Sequence, residues 1–301
     1  MGNGDASIRL SDIGERLKAF RMGRGLSPEE LAETLRISRA ALYRAEKGHI
    51  PKIETLARIS EVLQVSLPTL LGVGIEYVDT AIAFFERMRQ LEEQCHQIVG
   101  LFGPISYLLT SDIYDETLRE VLLEGIPQSA DGTGDGTQPV ETLMQILAAR
   151  KASYRRRRPL IASLVSSSDI ERFLLHGLVG RHDLPEEVVA ERRRKARAEA
   201  FHILDLLHRP PIGVQVAIVR ETIPATSFQI FRQSDRSVLA ISPFRLGEQP
   251  NVRVGAALIT SAPEALALHE SIAQQLWDRA LRGPDGAEYL TSLIDRYAIP
   301  A

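Results

Sequence analysis

Residues 10–72 carry helix start and stop signals at such close intervals that only a cluster of short helices can be built from them. Ser11 can cap a helix with apolar positions Ile13, Leu17 and Phe20, and Gly23 and Gly25 end it. Ser27, Pro28 and Glu30 form a capping-box start with proline at the first helical position, and Leu31, Ala32 and Leu35 make the inner face. Ser38 opens a third helix that Gly48 closes. Ile53, Leu56, Ile59 and Leu63 space a fourth, and SLPTLLG holds a fifth. Helices this short are marginal alone, so they must share one apolar core.

The third helix, within ISRAALYRAEKG, divides its residues unevenly. Leu42 and Ala45 point inward, whereas Arg39, Ala40, Tyr43, Arg44 and Lys47 recur at helical spacings on another face. A tight connection near Arg36 and Ile37 joins it to the second helix, which makes a helix-turn-helix. In that arrangement the second helix of the pair enters the DNA major groove and the first crosses the backbone. A solvated basic face is the simpler explanation of the strip taken alone; the surrounding bundle is what points to DNA.

The run from IGERLKAFR through LSPEELAETLRIS and YRAEKG to PKIETLARISEVLQVS resembles the Cro/C1-type helix-turn-helix of the XRE family of transcriptional regulators. The resemblance covers about the first quarter of the chain. It implies that Arg39, Ala40, Tyr43 and Arg44 face base edges, while Ser38, Lys47 and Lys52 meet phosphates. It also implies that Glu46 pairs with Arg21 and locks the bundle. The second helix begins Ser-Pro-Glu-Glu where many relatives carry Thr-Gln-Glu-Glu, so base reading should lean on the third helix. Arginine suits that task because its fork matches guanine O6 and N7, whereas lysine on phosphate adds sequence-blind, salt-dependent affinity.

With 301 residues there is room for a second domain, and a net charge of -3 means that any nucleic-acid affinity must be local. No stretch approaches the ~20 apolar residues of a membrane span. MGNGDASIRL lacks a signal-peptide core, so a cytoplasmic protein is expected. The single cysteine, Cys95, excludes an intrachain disulfide and reads as a small packed side chain; pairing across a dimer stays open.

The expected organisation is α+β and multidomain: an all-α five-helix bundle over residues 1–73, a linker or dimerisation helix over 74–102, and a larger α/β domain with a mixed sheet over 103–301. The run IEYVDTAIAFFERMRQLEEQCHQIVGLF, with Phe84, Phe85, Met88, Leu91, Ile98 and Val99 apolar, suits either a dimer element or packing on its own domain's sheet. PISYLLTS, PLIASLVSS, GVQVAIVRE, SFQIFRQS, SVLAISPF and VRVGAALITS read as strands. DIYDETLREVLLEG, SDIERFLLHG, PEEVVAERRRKARAEAFHILDLLHR and PEALALHESIAQQLWDRALR read as helices between them.

YLLTSD, SLVSSSD and ALITSAPE each carry a strand into Ser or Thr ahead of an acidic or helix-starting residue. Helix capping accounts for that pattern; a ligand crevice at strand carboxyl ends, suited to an anion, accounts for it as well. The second reading makes Ser166, Ser167 and Ser168 candidate ligand residues, more so than Thr110 and Ser111, with Arg220, Arg232 and Arg245 near strand ends as neutralising groups. Structural ion pairs explain those arginines equally, and Phe228, Phe231 and Phe244 read as core. The element order also resembles phospholipase-D-like sensor domains, but no histidine has a lysine two residues on, as that superfamily's catalytic signature requires.

SADGTGDGT has the flavour of a calcium loop, yet Thr133 and Thr142 stand where ligands are needed, so residues about 125–139 read as a mobile loop. RKASYRRRRP reads as a solvated helix end before a buried strand, with contact to DNA or an acidic ligand as the alternative. The arginines of ERRRKARAEAF should face water or the acidic residues around Asp183 and Glu186. His202 and His208 lack metal-ligand spacing, and no cofactor is expected. Gly-x-Ser-x-Gly, Gly-x-x-x-x-Gly-Lys and His-Glu-x-x-His are missing, so an enzyme is not expected. The expected function is a transcriptional regulator that reads a double-stranded, palindromic DNA operator as a homodimer and senses a small, anionic effector; the alternatives are a ligand-independent repressor whose second domain only mediates protein contacts, or an enzyme domain targeted to DNA.

Overall fold

The structure, a computed structural model, describes residues 10–49, 51–126, 137–181, 183–247 and 249–297. Its first elements are α1 (Leu10–Gly23), α2 (Pro28–Leu35), α3 (Arg39–Glu46), α4 (Ile53–Val62) and α5 (Leu67–Leu71). Ile13, Leu17, Phe20, Leu31, Leu35, Leu42, Leu56, Ile59, Leu63 and Leu70 are buried together, so each amphipathic face found its partners. The capping box is complete: Glu30 N–H donates to Ser27 Oγ at 3.2 Å and Ser27 N–H to Glu30 Oε2 at 2.7 Å. Arg36 closes α2 in the left-handed region, with φ 53°, and turns the chain into α3.

The run 74–102 is not one helix. It forms β1 (Ile75–Val78), α6 (Ala81–Gln94) and β2 (Cys95–Phe102). Thr80 caps α6, accepting from Ala83 N–H at 3.3 Å. Ile98, Val99 and Gly100 are poor helix formers, and long-range pairing claims them: β2 lies between β3 (Leu160–Ser166) and β5 (Ser227–Gln233). The segment read as a strand at PISYLLTS is instead a loop with a single 3-10 turn at Tyr107–Leu109, because the strand position is already filled by Cys95–Phe102.

The remaining elements are α7 (Asp112–Glu124), α8 (Thr137–Arg157), α9 (Ser167–His176), α10 (Glu186–His208), β4 (Val214–Val219), β6 (Ser237–Ser242), β7 (Ala257–Thr260), α11 (Pro263–Arg279), β8 (Leu281–Arg282) and α12 (Gly283–Tyr297). One eight-stranded sheet runs β1-β7-β6-β5-β2-β3-β4-β8. β2, β3 and β4 are parallel, and β5, β6, β7 and β1 continue as an antiparallel meander. α11 covers one face, where Leu101, Leu164, Ala217, Phe228, Ile230 and Leu239 meet Ala273 and Leu276. α6, α9, α10 and α12 lie on the other. Fold class is thus α+β with a mixed sheet. The calcium-like stretch and the core of the expected mobile loop, residues 127–136, lie outside the described residues. Among the described residues no helix is long and apolar enough to cross a membrane.

The helical bundle is fastened to the sheet domain through α6. Glu76 on β1, 3% exposed, accepts from Arg16 Nε of α1 at 3.0 Å and from Arg87 Nε of α6 at 2.6 Å. Gln90 and Gln94 donate to the Glu15 carbonyl at 3.1 Å and its carboxylate at 2.8 Å, and Lys18 pairs with Glu86. Arg236 reaches from the sheet domain to Asp12.

Candidate nucleic-acid interface and strand-end cavity

α3 presents the candidate interface. Ser38 caps it, accepting from Ala41 N–H at 3.1 Å, and Leu42 and Ala45 anchor it in the core. That orientation leaves Ser38, Arg39, Ala40, Tyr43, Arg44 and Lys47 exposed on one side, with Lys52 exposed ahead of α4. Lys47 Nζ stands 5.6 Å from the Tyr43 ring centroid. Arg39 Nε pairs with Glu29 of α2 at 2.8 Å, with the two side chains 72% and 53% exposed. Such a pair is weak in water and leaves the guanidinium free to exchange partners.

Beneath the strip the helix is held rigidly. Arg21 Nε donates to Glu46 Oε1 at 2.6 Å and Arg21 Nη1 to the Leu26 carbonyl at 2.7 Å, so α1, α3 and the connection before α2 are tied by one guanidinium. Gly14 allows the closest approach: a Cβ there would stand 2.6 Å from both the Ala45 and Glu46 carbonyl oxygens.

The sheet domain has its own concavity, a cavity of about 940 Å³ at the carboxyl ends of β2 and β3. Phe84 and Phe85 of α6, Phe102 at the end of β2, and Phe244 supply aromatic walls, and Ser166, Ser168 and Gln229 supply polar ones. Of the candidate ligand residues, Ser166, Ser168 and Arg245 line this cavity. Ser167, Arg220 and Arg232 do not. Ser166 caps α9 through Asp169 N–H at 3.4 Å. Arg232 is committed to Gln97 and Glu270, and Arg220 lies 5.8 Å from the Tyr289 ring. Ser111 caps α7, and both its N–H and hydroxyl donate to Glu199; Thr110 donates to the Tyr107 carbonyl.

The basic run at 150–158 splits between interior and surface. Arg150, 3% exposed, binds Glu92 of α6 through Nε at 3.0 Å and Nη2 at 2.6 Å; Lys151, 4% exposed, binds Asp115. Arg155 through Arg158 are exposed, and Arg155 pairs with Asp112. In α10, Arg192 is buried against Glu120 and Glu124, Lys195 pairs with Glu120, and Arg194 with Glu191, rather than with the acidic residues near Asp183. Asp183 is held by Arg181 instead. His202 Nε2 lies 2.8 Å from the Leu109 carbonyl, a structural contact. The sequence held ligand contact open for this run as a whole but did not single out Arg150, because four neighbouring arginines made the run look solvated.

Residues 17–70 match the sequence model of the helix-turn-helix family. The chain is also 33% identical over 91 residues to the HTH-type transcriptional activator BcrR of Enterococcus faecalis. That alignment covers 30% of this chain and 43% of the activator, so the chain spans less than half of that relative. The family-model match over residues 17–70 coincides with the bundle whose caps, core and Arg21–Glu46 pair are described above, so this N-terminal region is a helix-turn-helix similar to the Cro/C1 type.

Proposed function

We propose that the chain is a sequence-specific DNA-binding regulator of transcription that works in the cytoplasm as a homodimer on a palindromic operator. The observation that carries this reading is the exposed strip of Arg39, Ala40, Tyr43 and Arg44 on a helix held from below by Arg21 and Glu46. Two such helices, one from each copy, would sit about 34 Å apart on one DNA face. The similarity to a transcriptional activator over 91 residues supports the regulatory role.

Selection of bound sequences from a random duplex library tests it. The expected result is a two-fold symmetric consensus. Arg39→Ala and Arg44→Ala should each weaken specific binding by about 1 to 3 kcal/mol and relax one base position. Lys47→Ala should lower affinity for all sequences alike and flatten the salt dependence. Unchanged selection by both arginine variants would overturn the assignment.

The sheet domain, in this reading, binds a small-molecule effector in the strand-end cavity and acts by binding rather than by catalysis. Asp169 of the lining is engaged by Arg172, which supports a holding site over an acid-base one. Native mass spectrometry of the freshly purified chain tests assembly and ligand together. A dimer carrying a defined adduct is expected; a monomer would count against the two-headed operator.

A further inference from the structure

The effector-binding reading above names no chemistry, and the cavity lining supplies one. We propose that the cavity takes an aromatic carboxylate whose acidic group seats on Arg150, and that this contact reaches the DNA-binding bundle through α6. The proposal rests on the cavity being an effector site and goes further by naming the ligand class and its anchor.

The volume of about 940 Å³ admits a molecule of drug-like size. Phe84, Phe85, Phe102 and Phe244 offer ring faces and edges, which favour a flat π-system over an extended aliphatic chain. Arg150 is the buried cation of the lining. Its guanidinium carbon lies 5.4 Å from the Phe85 ring centroid and 5.7 Å from that of Tyr107. Nε and Nη2 are committed to Glu92, whereas Nη1 makes no hydrogen bond among the described residues. Arginine carries five N–H donors and stays charged, so a buried fork with an unused edge is an acceptor site awaiting an oxygen. A carboxylate fits that edge better than a neutral oxygen, because a charge-assisted hydrogen bond is the stronger one. Of the nearby acidic groups, Asp169 is paired with Arg172, while Glu92 holds the other edge of the Arg150 fork, so the ligand carboxylate seats against its charge.

α6 connects this anchor to the bundle because its two faces serve different partners. One face carries Phe84 and Phe85 into the cavity wall and Glu92 onto Arg150. The other carries Arg87 onto Glu76, which also binds Arg16, and sends Gln90 and Gln94 to Glu15. A ligand carboxylate on the Nη1 edge shares the guanidinium with Glu92 and repels that carboxylate, and so acts on the helix that seats α1. Differential affinity of the ligand for two seatings of α6 is all that coupling requires.

The test uses the full chain with 2-naphthoate and its neutral counterpart, 2-naphthalenemethanol, by titration calorimetry. The carboxylate should bind about tenfold more tightly or better, as expected of a hydrogen bond to a charged group. An Arg150→Met, Glu92→Leu double variant removes both charges, leaving neither buried alone, and should erase that preference. If it does not fold, Arg150→Lys keeps the charge, lacks the fork and should reduce the preference. Hydrogen exchange in α1 and α6 of the wild type should change on saturation with 2-naphthoate.

Equal affinity for the two compounds, or a preference undiminished in the variants, would overturn the role of Arg150 while leaving an effector cavity in place. Failure of both compounds at millimolar concentration would overturn the ligand class. Binding with unaltered exchange in α1 would overturn the coupling. An adduct of another chemistry in the native mass spectrum would keep the effector reading and sink this inference alone.

Discussion

Gly14 shows how narrowly the recognition helix is positioned. The Cβ of an alanine there would meet two backbone carbonyls at 2.6 Å, and neither oxygen can move without displacing the end of α3. Gly14→Ala should therefore destabilise the bundle by about 1 to 3 kcal/mol, despite alanine's better helix propensity, and lower the melting temperature. Cys95 makes the opposite kind of statement, of inertness. Burial, then the neighbouring Glu92 carboxylate, pushes its thiol up to about 12. The folded chain should react with a disulfide reagent at mildly alkaline pH far more slowly than the denatured chain, and rapid native labelling would show that the start of β2 opens.

At the scale of elements, Ser38 has two roles that substitution can separate. Ser38→Ala should cost about 1 kcal/mol by removing the cap of α3. Ser38→Asp should hold the cap and the melting temperature, yet weaken DNA affinity by placing negative charge beside phosphate. This helix and its neighbours were readable in the sequence because caps, prolines and glycines act locally. Ser27 and Glu30, or Ser38 and Ala41, stand three residues apart. β1 and β2 were not readable. Their partners lie far along the chain, Ile75 against Thr260 and Leu101 against Phe228, and local signals as weak as the Thr80 cap and the run 98–100 do not by themselves separate such a segment from a continuing helix. The cavity was half visible: strand ends at Ser166 pointed to it, whereas its aromatic wall came from α6, read as a linker, and its cation from a run of arginines that differ only in which way each one faces.

Across the whole molecule, the Arg16–Glu76–Arg87 group governs how bundle and sheet domain answer to acid. Burial opposes ionisation of Glu76, but Arg87 and Arg16 outweigh it and hold the carboxyl below its ordinary 4.5. A carboxyl lowered in the folded state adds stability that is present above the unfolded value and lost as pH falls through the folded one. Denaturation midpoints should thus fall as pH drops below 4.5, and Glu76→Gln should lack that component. Glu15, raised chiefly by burial, works the other way and shares Arg87 with Glu76, so the difference between wild type and variant reads the response of the group as a whole. At neutral pH the same substitution should cost about 3 to 5 kcal/mol, since it strands two buried guanidinium groups. The group also sets where the chain can be cut. A chimera that grafts this reading head onto another body after Gly72 would leave Arg16 without its counter-charge, whereas a junction beyond Gln94 keeps Glu76 and Arg87 with it. In building terms the spare part is not the helix-turn-helix alone but the head together with its first strand and α6.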